Sequence, residues 1–245
     1  MAQCVKSMKI VKHIPNTITC MNLISGTGSI IFAFQGDFMA SFILMLLAAV
    51  FDFMDGLAAR TLHAYSDIGK ELDSLCDAVS FGLAPSLILF NYLQQASVNP
   101  SWIIYLVLLI APFSALRLAK FNLDTRQTTS FIGLPTPACA LFVGSLIAFA
   151  SEHSPALHMA LLNSWTLPVV SIGLSLALIS EIPMFSLKFK SLRWAENKTL
   201  YTFALVLLPF IVAAIITHIH WSGIIAFIFL MYILYNIIRL PFSKH

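Results

Sequence analysis

Charged side chains are scarce in this sequence. Only 10% of its 245 residues are Asp, Glu, Lys or Arg, whereas a soluble domain carries roughly a quarter. The four cysteines are scattered and form no Cys-x-x-Cys pair, which argues against a disulfide framework or a zinc site. No long polar or low-complexity stretch divides the chain. The sequence therefore favours one continuous domain over a set of soluble ones.

Long hydrophobic runs, by contrast, are abundant. Hydrophobic residues make up 59% of the chain, and its mean hydropathy is +0.88. Because lipid offers no hydrogen-bond partners to the backbone, such runs are expected to be helical. We therefore expect an all-α polytopic membrane bundle with about eight transmembrane helices. The predicted apolar segments are about 17–34, 38–61, 70–94, 101–121, 134–151, 165–181, 200–217 and 221–239.

The basic residues alternate along this series of segments. All fourteen Lys and Arg residues fall in the N-terminal stretch, in every second loop and in the C-terminal stretch. The positive-inside rule then predicts that both termini are cytoplasmic. The net charge of +3 is explained by this topology and by attraction to anionic headgroups. It indicates no nucleic-acid partner.

The acidic residues are concentrated in one place. Six of the eleven lie within residues 52–77. Asp52 and Asp55 share one face of the second predicted helix, and Asp73 and Asp77 share one face of the third. A short connection makes the two helices antiparallel. We therefore expect all four carboxylates to converge at the cytoplasmic mouth of the bundle.

Four carboxylates gathered at low dielectric repel one another. Protonation, the guanidinium of Arg60 or a bound cation could each relieve that repulsion. Carboxylate oxygens are the ligands that Mg²⁺ and Mn²⁺ prefer. Two such ions sharing carboxylates form a common platform for displacement at phosphorus.

The spacing of these residues matches a known signature. The fixed positions are Asp52, Asp55, Gly56, Ala59, Arg60, Gly69, Asp73 and Asp77. Together they resemble the motif of the CDP-alcohol phosphatidyltransferase family, with every spacing kept. Flanking stretches at 15–19 (PNTIT), 80–85 (SFGLAP), 117–122 (RLAKFN) and 133–137 (GLPTP) are similar to the serine-transferring members. The resemblance covers about residues 13–140.

The resemblance implies a role for each motif residue. Asp52 and Asp73 would ligate two divalent cations, Mg²⁺ or Mn²⁺. Asp55 would complete one metal site and Asp77 the other, and Asp77 would also be the general base. The residues implied to hold the CDP part of the lipid are Asn16, Thr19, Gly56, Ala59, Arg60, Ser66 and Gly69.

Three residues are candidates for binding the acceptor. Arg117 and Lys120 could pair with a carboxylate or a phosphate, or could instead anchor the fourth helix at the membrane interface. Ser80 extends the Asp73–Asp77 stripe and could line the acceptor pocket, although it could equally satisfy a backbone carbonyl.

The reaction implied by the resemblance is transfer of a phosphatidyl group from CDP-diacylglycerol to L-serine, releasing CMP. Two alternatives remain: a same-fold enzyme using glycerol 3-phosphate, an inositol phosphate or choline, and a cation-coupled transporter. We expect a single membrane-embedded domain over 1–245, with a catalytic core at 1–140 and additional helices at 141–245. The expected setting is a homodimer in a bacterial inner membrane, with the active site at the cytoplasmic face.

Overall fold

A computed structural model describes residues 13–96, 100–123, 131–185 and 198–239, and its regular structure is overwhelmingly helical. The first half contains α1 (His13–Phe34), α2 (Phe38–Thr61), α3 (Asp67–Asp77), a π-helical stretch (Ala78–Leu83), α4 (Ala84–Gln94), a 3₁₀ stretch (Ser101–Leu109) and α5 (Ile110–Leu123). The second half contains α6 (Thr136–His153), α7 (Pro155–Leu161), α8 (Thr166–Ile179), α9 (Lys198–Ile216) and α10 (Trp221–Arg239). The predicted all-α class is confirmed.

Within the described residues, six helical units are long and apolar enough to cross a membrane. A seventh is added if α7 and α8, which meet at a bend of 75°, are counted as one broken span. Every predicted apolar segment coincides with a helix, but α6 is not among the six units. The expected count of about eight therefore stays a prediction. So does the cytoplasmic location of the termini, since residues 1–12 and 240–245 lie outside the described ones.

The connections that bring the acidic helices together have clear local causes. Gly36 adopts a positive φ of 82° in the turn after α1, and the Asp37 side chain caps α2 by accepting from Ala40 N at 2.8 Å. Ser66 caps α3 in the same way, with Gly69 N donating to its Oγ at 3.0 Å. After these turns, α1 packs against both α2 and α3.

The centre of the bundle is formed by α6, which packs against α2 on one side and α10 on another. Gly144 of α6 permits this approach, because a Cβ there would lie 3.0 Å from Met45 Sδ and from the Phe42 ring. The last helix is thus held close to the helix that carries Asp52 and Asp55.

A short antiparallel pairing of β1 (Phe131–Ile132) with β2 (Pro183–Met184) was not predicted from the sequence. Gly133 N donates to Ile182 O at 2.9 Å beside it. Gly133 has a φ of 77°, and a Cβ there would lie 2.5 Å from Leu178 O. This pairing joins the segment before α6 to the segment after α8.

Candidate active site

Three of the four predicted carboxylates meet between α2 and α3. Oxygen atoms of Asp52, Asp55 and Asp73 all lie within 4.8 Å of one another. Asp77 follows one turn after Asp73, is buried, and is near enough to interact electrostatically with Asp52 and Asp73. The convergence predicted from helix spacing is therefore observed as a group of three with Asp77 beside it.

This group has the chemistry of a site for a hard divalent cation. All the atoms that it offers as metal ligands are carboxylate oxygens. Like charges this close repel one another by on the order of 3 kcal/mol per pair at a protein-like dielectric. Asp55 Oδ2 is buried, and no described residue offers it a hydrogen bond. A buried acceptor without a donor is costly, and a cation ligated there would offset that cost.

Asp77 has a partner that the sequence analysis missed. Asn22 of α1 is fully buried and donates its Nδ2 to Asp77 Oδ1 at 3.0 Å. A signal was present in the sequence. Thr19, Asn22, Ser25 and Ser29 form a polar stripe at helical spacing on an otherwise apolar helix, and all four are buried.

Ser80 also contacts Asn22, and it is not among the residues that line the cavity containing Arg117. Its Oγ donates to Asn22 O at 3.1 Å, and Gly26 lies so close that a Cβ on it would be 2.1 Å from that oxygen. Ser80 lies in the π-helical stretch that begins at Ala78. It takes the role of satisfying a backbone carbonyl, which the sequence had left open for it, and both Ser80 and Asp77 contact Asn22.

A small cavity of about 210 Å³ opens on one side of the carboxylates. It lies between α1, α2 and the start of α3, where Gly69 approaches Asn16 so closely that a Cβ would be 3.0 Å from Asn16 Oδ1. All seven residues predicted to hold the CDP group line it, namely Asn16, Thr19, Gly56, Ala59, Arg60, Ser66 and Gly69.

A large cavity of about 420 Å³ opens on the other side. Its lining includes Asp52, Asp77 and Arg117, and also Phe229 and Tyr232 from α10. Lys70 and Asp73 line both cavities. The cluster of aspartates therefore forms part of the wall between the two cavities.

Arg117 supplies a buried positive charge to the large cavity. It is 7% exposed, and its Nη1 donates to Thr136 Oγ1 at 3.3 Å at the start of α6. Its guanidinium carbon lies 5.9 Å from the centre of the Phe121 ring. Its Nε finds no hydrogen-bond partner among the described residues. A guanidinium held in this way has donor capacity to spare for an anionic ligand.

The other predicted acceptor residue differs from Arg117. Lys120 is exposed and lines neither cavity, as expected of a side chain that reaches towards the interface from a helix end. The structure brings Lys70 to the site instead. Its Nζ donates to Asn122 O at 3.3 Å, and Asn122 Nδ2 donates to Ser74 Oγ at 2.8 Å. These contacts tie α3 to the end of α5.

Comparison with known proteins identifies several relatives. The chain is 36% identical over 179 residues to a CDP-diacylglycerol–serine O-phosphatidyltransferase of Mycobacterium leprae, covering 70% of this chain and 57% of that protein. Proteins of the same name match from Methanocaldococcus jannaschii, at 35% identity over 72% of this chain and 75% of the relative, and from Bacillus subtilis, at 32% over 69% and 88%. The match thus spans less than two thirds of the mycobacterial protein.

The family itself is identified by a more general match. Residues 12–177, well over half of the chain, match the profile of the CDP-alcohol phosphatidyltransferase family. That stretch contains all four aspartates and every residue that lines the small cavity. It extends beyond residue 140, where the signatures recognised in the sequence end. The chain belongs to the CDP-alcohol phosphatidyltransferase family.

Proposed function

We propose that this protein transfers the phosphatidyl group of CDP-diacylglycerol to the hydroxyl of L-serine, giving phosphatidylserine and CMP. The observation that carries the proposal is the pair of cavities with aspartates in their shared wall. A transferase needs a donor and an acceptor on opposite sides of the reacting phosphorus. The names of the relatives support serine as that acceptor.

The small cavity would bind the nucleotide part of the donor. Arg60 and Lys70 line it and can pair with diphosphate oxygens, and Asn16 and Ser66 can hydrogen-bond to the ribose or the base. Gly56 leaves the helix surface open, so the ligand can approach the backbone closely. The acyl chains would remain in the lipid outside the bundle.

The large cavity would bind the acceptor. Arg117 has an Nε–H without a partner among the described residues, which can donate to the carboxylate of serine, and Asp77 lines the same space. As the serine hydroxyl attacks the lipid-bearing phosphorus, its proton passes to an Asp77 oxygen. The new oxygen–phosphorus bond forms, the bond to the CMP phosphate breaks, and CMP leaves through the small cavity.

Asp52, Asp55, Asp73 and Asp77 would hold two divalent cations, Mg²⁺ or Mn²⁺. Members of the family generally depend on such ions, and the all-oxygen group with the buried Asp55 Oδ2 suits them. When bound, the cations would supply the positive charge that neutralises the diphosphate and stabilises the departing CMP.

Acceptors other than serine fit the large cavity less well. Glycerol 3-phosphate or an inositol phosphate carries a doubly charged group, for which the lining offers two cationic side chains, Arg117 and Lys70. Lys70 also lines the small cavity, where the diphosphate would use it. Choline has no anionic group for Arg117 to bind. A single buried guanidinium is best matched by one carboxylate.

The proposed setting is a bacterial inner membrane, with the aspartates at the cytoplasmic face and the protein as a homodimer. The described helices support the coarser statement that this is an integral membrane protein. Cysteine labelling of each loop from either side of sealed vesicles would test the orientation. Mass measurement of the protein in a membrane mimetic would test the dimer.

An acceptor panel tests the function directly. Purified protein would be supplied with CDP-diacylglycerol, Mn²⁺ and one radiolabelled acceptor at a time: L-serine, glycerol 3-phosphate, an inositol phosphate or choline. We expect lipid-extractable label with L-serine alone, with one CMP released for each lipid formed. Equal or greater labelling by another acceptor would reject serine, and metal-dependent ion flux without CMP release would favour a transporter.

A further inference from the structure

The last helix contributes to the large cavity although it lies outside the family match. Phe229 and Tyr232 of α10 line that cavity together with Arg117 and Asp77. The family match ends at residue 177, whereas α10 begins at Trp221. Part of the proposed acceptor site is therefore formed by a segment to which the family signature assigns no role.

Tyr232 is held rigidly at this position. It is 1% exposed, and its hydroxyl donates to Phe185 O at 2.9 Å. The Phe185 ring meets the Tyr232 ring edge to face at 5.1 Å. One turn further along α10, Asn236 Oδ1 accepts from Phe185 N at 3.1 Å. The backbone of Phe185 is thus bound at both its N–H and its C=O by the same helix.

The segment that holds Tyr232 also leads to Arg117. Phe185 directly follows β2, which pairs with β1, and β1 leads through Gly133 to Thr136. Thr136 Oγ1 is the acceptor for the Arg117 guanidinium. Tyr232 and Arg117 are near enough to interact electrostatically. The short sheet therefore fixes these two side chains relative to each other across the cavity.

The two side chains offer complementary chemistry. Arg117 has only donors, and its Nε is unused among the described residues. The only hydrogen of the Tyr232 hydroxyl is already committed to Phe185, so its oxygen is left as an acceptor. Phe229 and Tyr232 also bring aromatic rings to the lining, and aromatic rings can attract cations. A donor and an acceptor in the same cavity suit a zwitterion.

We propose that Tyr232 is a specificity-determining residue that recognises the ammonium group of an amino-acid acceptor, while Arg117 holds its carboxylate. The inference rests on the proposed function. It adds an explanation of how the site distinguishes serine from hydroxy acids of the same size. L-Glycerate keeps the primary hydroxyl, the carboxylate and the configuration of L-serine but has a second hydroxyl where serine has its ammonium. It is therefore the probe that isolates this contact.

The test compares Tyr232→Phe with the wild-type full-length protein in lipid nanodiscs, measuring CMP release with L-serine and competitive inhibition by L-glycerate. We expect KM for L-serine to rise about tenfold or more, as for loss of a hydrogen bond to a charged group. We expect the KM for CDP-diacylglycerol to change by less than about twofold, since the lipid donor does not use the Tyr232 oxygen. We expect the inhibition constant of L-glycerate to change much less than the KM for L-serine, since a neutral hydroxyl gains less from that oxygen than an ammonium does.

Tyr235→Phe is the matched control. Tyr235 lies on the same helix, and its ring contacts Phe185 and Phe203, but it does not line the cavity. Kinetics that match the wild type in this variant support the inference. An unchanged KM for L-serine in Tyr232→Phe, or equal losses for serine, glycerate and CDP-diacylglycerol, would overturn it. Absence of serine transfer by the wild type would instead reject the proposed function.

Discussion

Asn22 donates its side-chain amide to Asp77 at 3.0 Å and so links the middle of α1 to the end of α3. The contact is buried. The Asn22 backbone is held in place by the Ser80 hydroxyl, which donates to the Asn22 carbonyl at 3.1 Å. An amide donor in this position holds one oxygen of the carboxylate and leaves the other to act. Asn22 is thus a positioning residue for the proposed general base.

Replacing Asn22 with Ala is expected to lower kcat by about tenfold to a hundredfold, the effect of losing a hydrogen bond to a charged group. KM for CDP-diacylglycerol should stay within about threefold, because Asn22 lines neither cavity. Ser29→Ala is the control: it removes a buried hydrogen bond of the same helix, to Ser41 at 3.1 Å. Equal kcat in the two variants would refute the positioning role.

Asp77→Asn should abolish turnover while leaving CDP-diacylglycerol bound. The amide cannot accept the serine proton, but its shape preserves the packing around Asn22. Radiolabelled CMP formation and nucleotide binding, measured on the same folded preparation, separate the two effects. Asp67→Asn, at an exposed carboxylate in the first turn of the same helix, should keep its activity. Undiminished turnover by folded Asp77→Asn would exclude this base.

Arg117→Lys should raise the KM for L-serine by about tenfold or more, because Lys keeps the charge but lacks the planar fork that pairs with a carboxylate. Arg117 is expected to bind the serine carboxylate because it is buried and because its Nε has no partner among the described residues. Lys120→Ala should change that KM by less than about twofold, since Lys120 is exposed and lines neither cavity. The opposite ranking would restore Lys120 as the acceptor residue.

Gly26→Ala should destabilise the protein by several kcal/mol, in the range of severe overpacking. The new Cβ would lie 2.1 Å from Ser80 Oγ and 2.7 Å from Ser80 Cα, and the backbone cannot rotate away. Gly173→Ala, where nothing lies within 4 Å, should be neutral or slightly stabilising. Thermal unfolding in detergent measures both. A Tm for Gly26→Ala equal to that of Gly173→Ala would mean that α1 is not packed so tightly there.

Much of the site followed from the sequence because its residues lie on regular helices. Helical spacing predicted that Asp52 and Asp55 would face Asp73, and the seven residues assigned to the CDP group line a single cavity. The prediction for the aspartates depends only on local periodicity and a short turn, which fix relative positions once the helices form. The assignment of the seven residues to the CDP group came from the resemblance to the family motif.

The contacts that were missed depend on long-range packing or on irregular backbone. Ser80 lies in a π-helical stretch and donates to the backbone carbonyl of Asn22, one of the two roles that the sequence left open, but spacing alone could not identify this partner on another helix. Tyr232 lies 155 residues beyond Asp77 in the chain and reaches the large cavity because α10 packs against α6. Neither arrangement leaves a periodic signal, because each follows from how distant helices pack.

The central claim is that the carboxylates of Asp52, Asp55 and Asp73 hold divalent cations on which phosphatidyl transfer depends. The most direct measurement is CMP release from CDP-diacylglycerol and L-serine by purified protein, before and after exhaustive chelation and then with Mg²⁺ or Mn²⁺ restored. We expect activity to vanish on chelation and to return with the metal in the wild type, but not in Asp55→Asn. Full transfer activity in the thoroughly chelated protein would contradict the account.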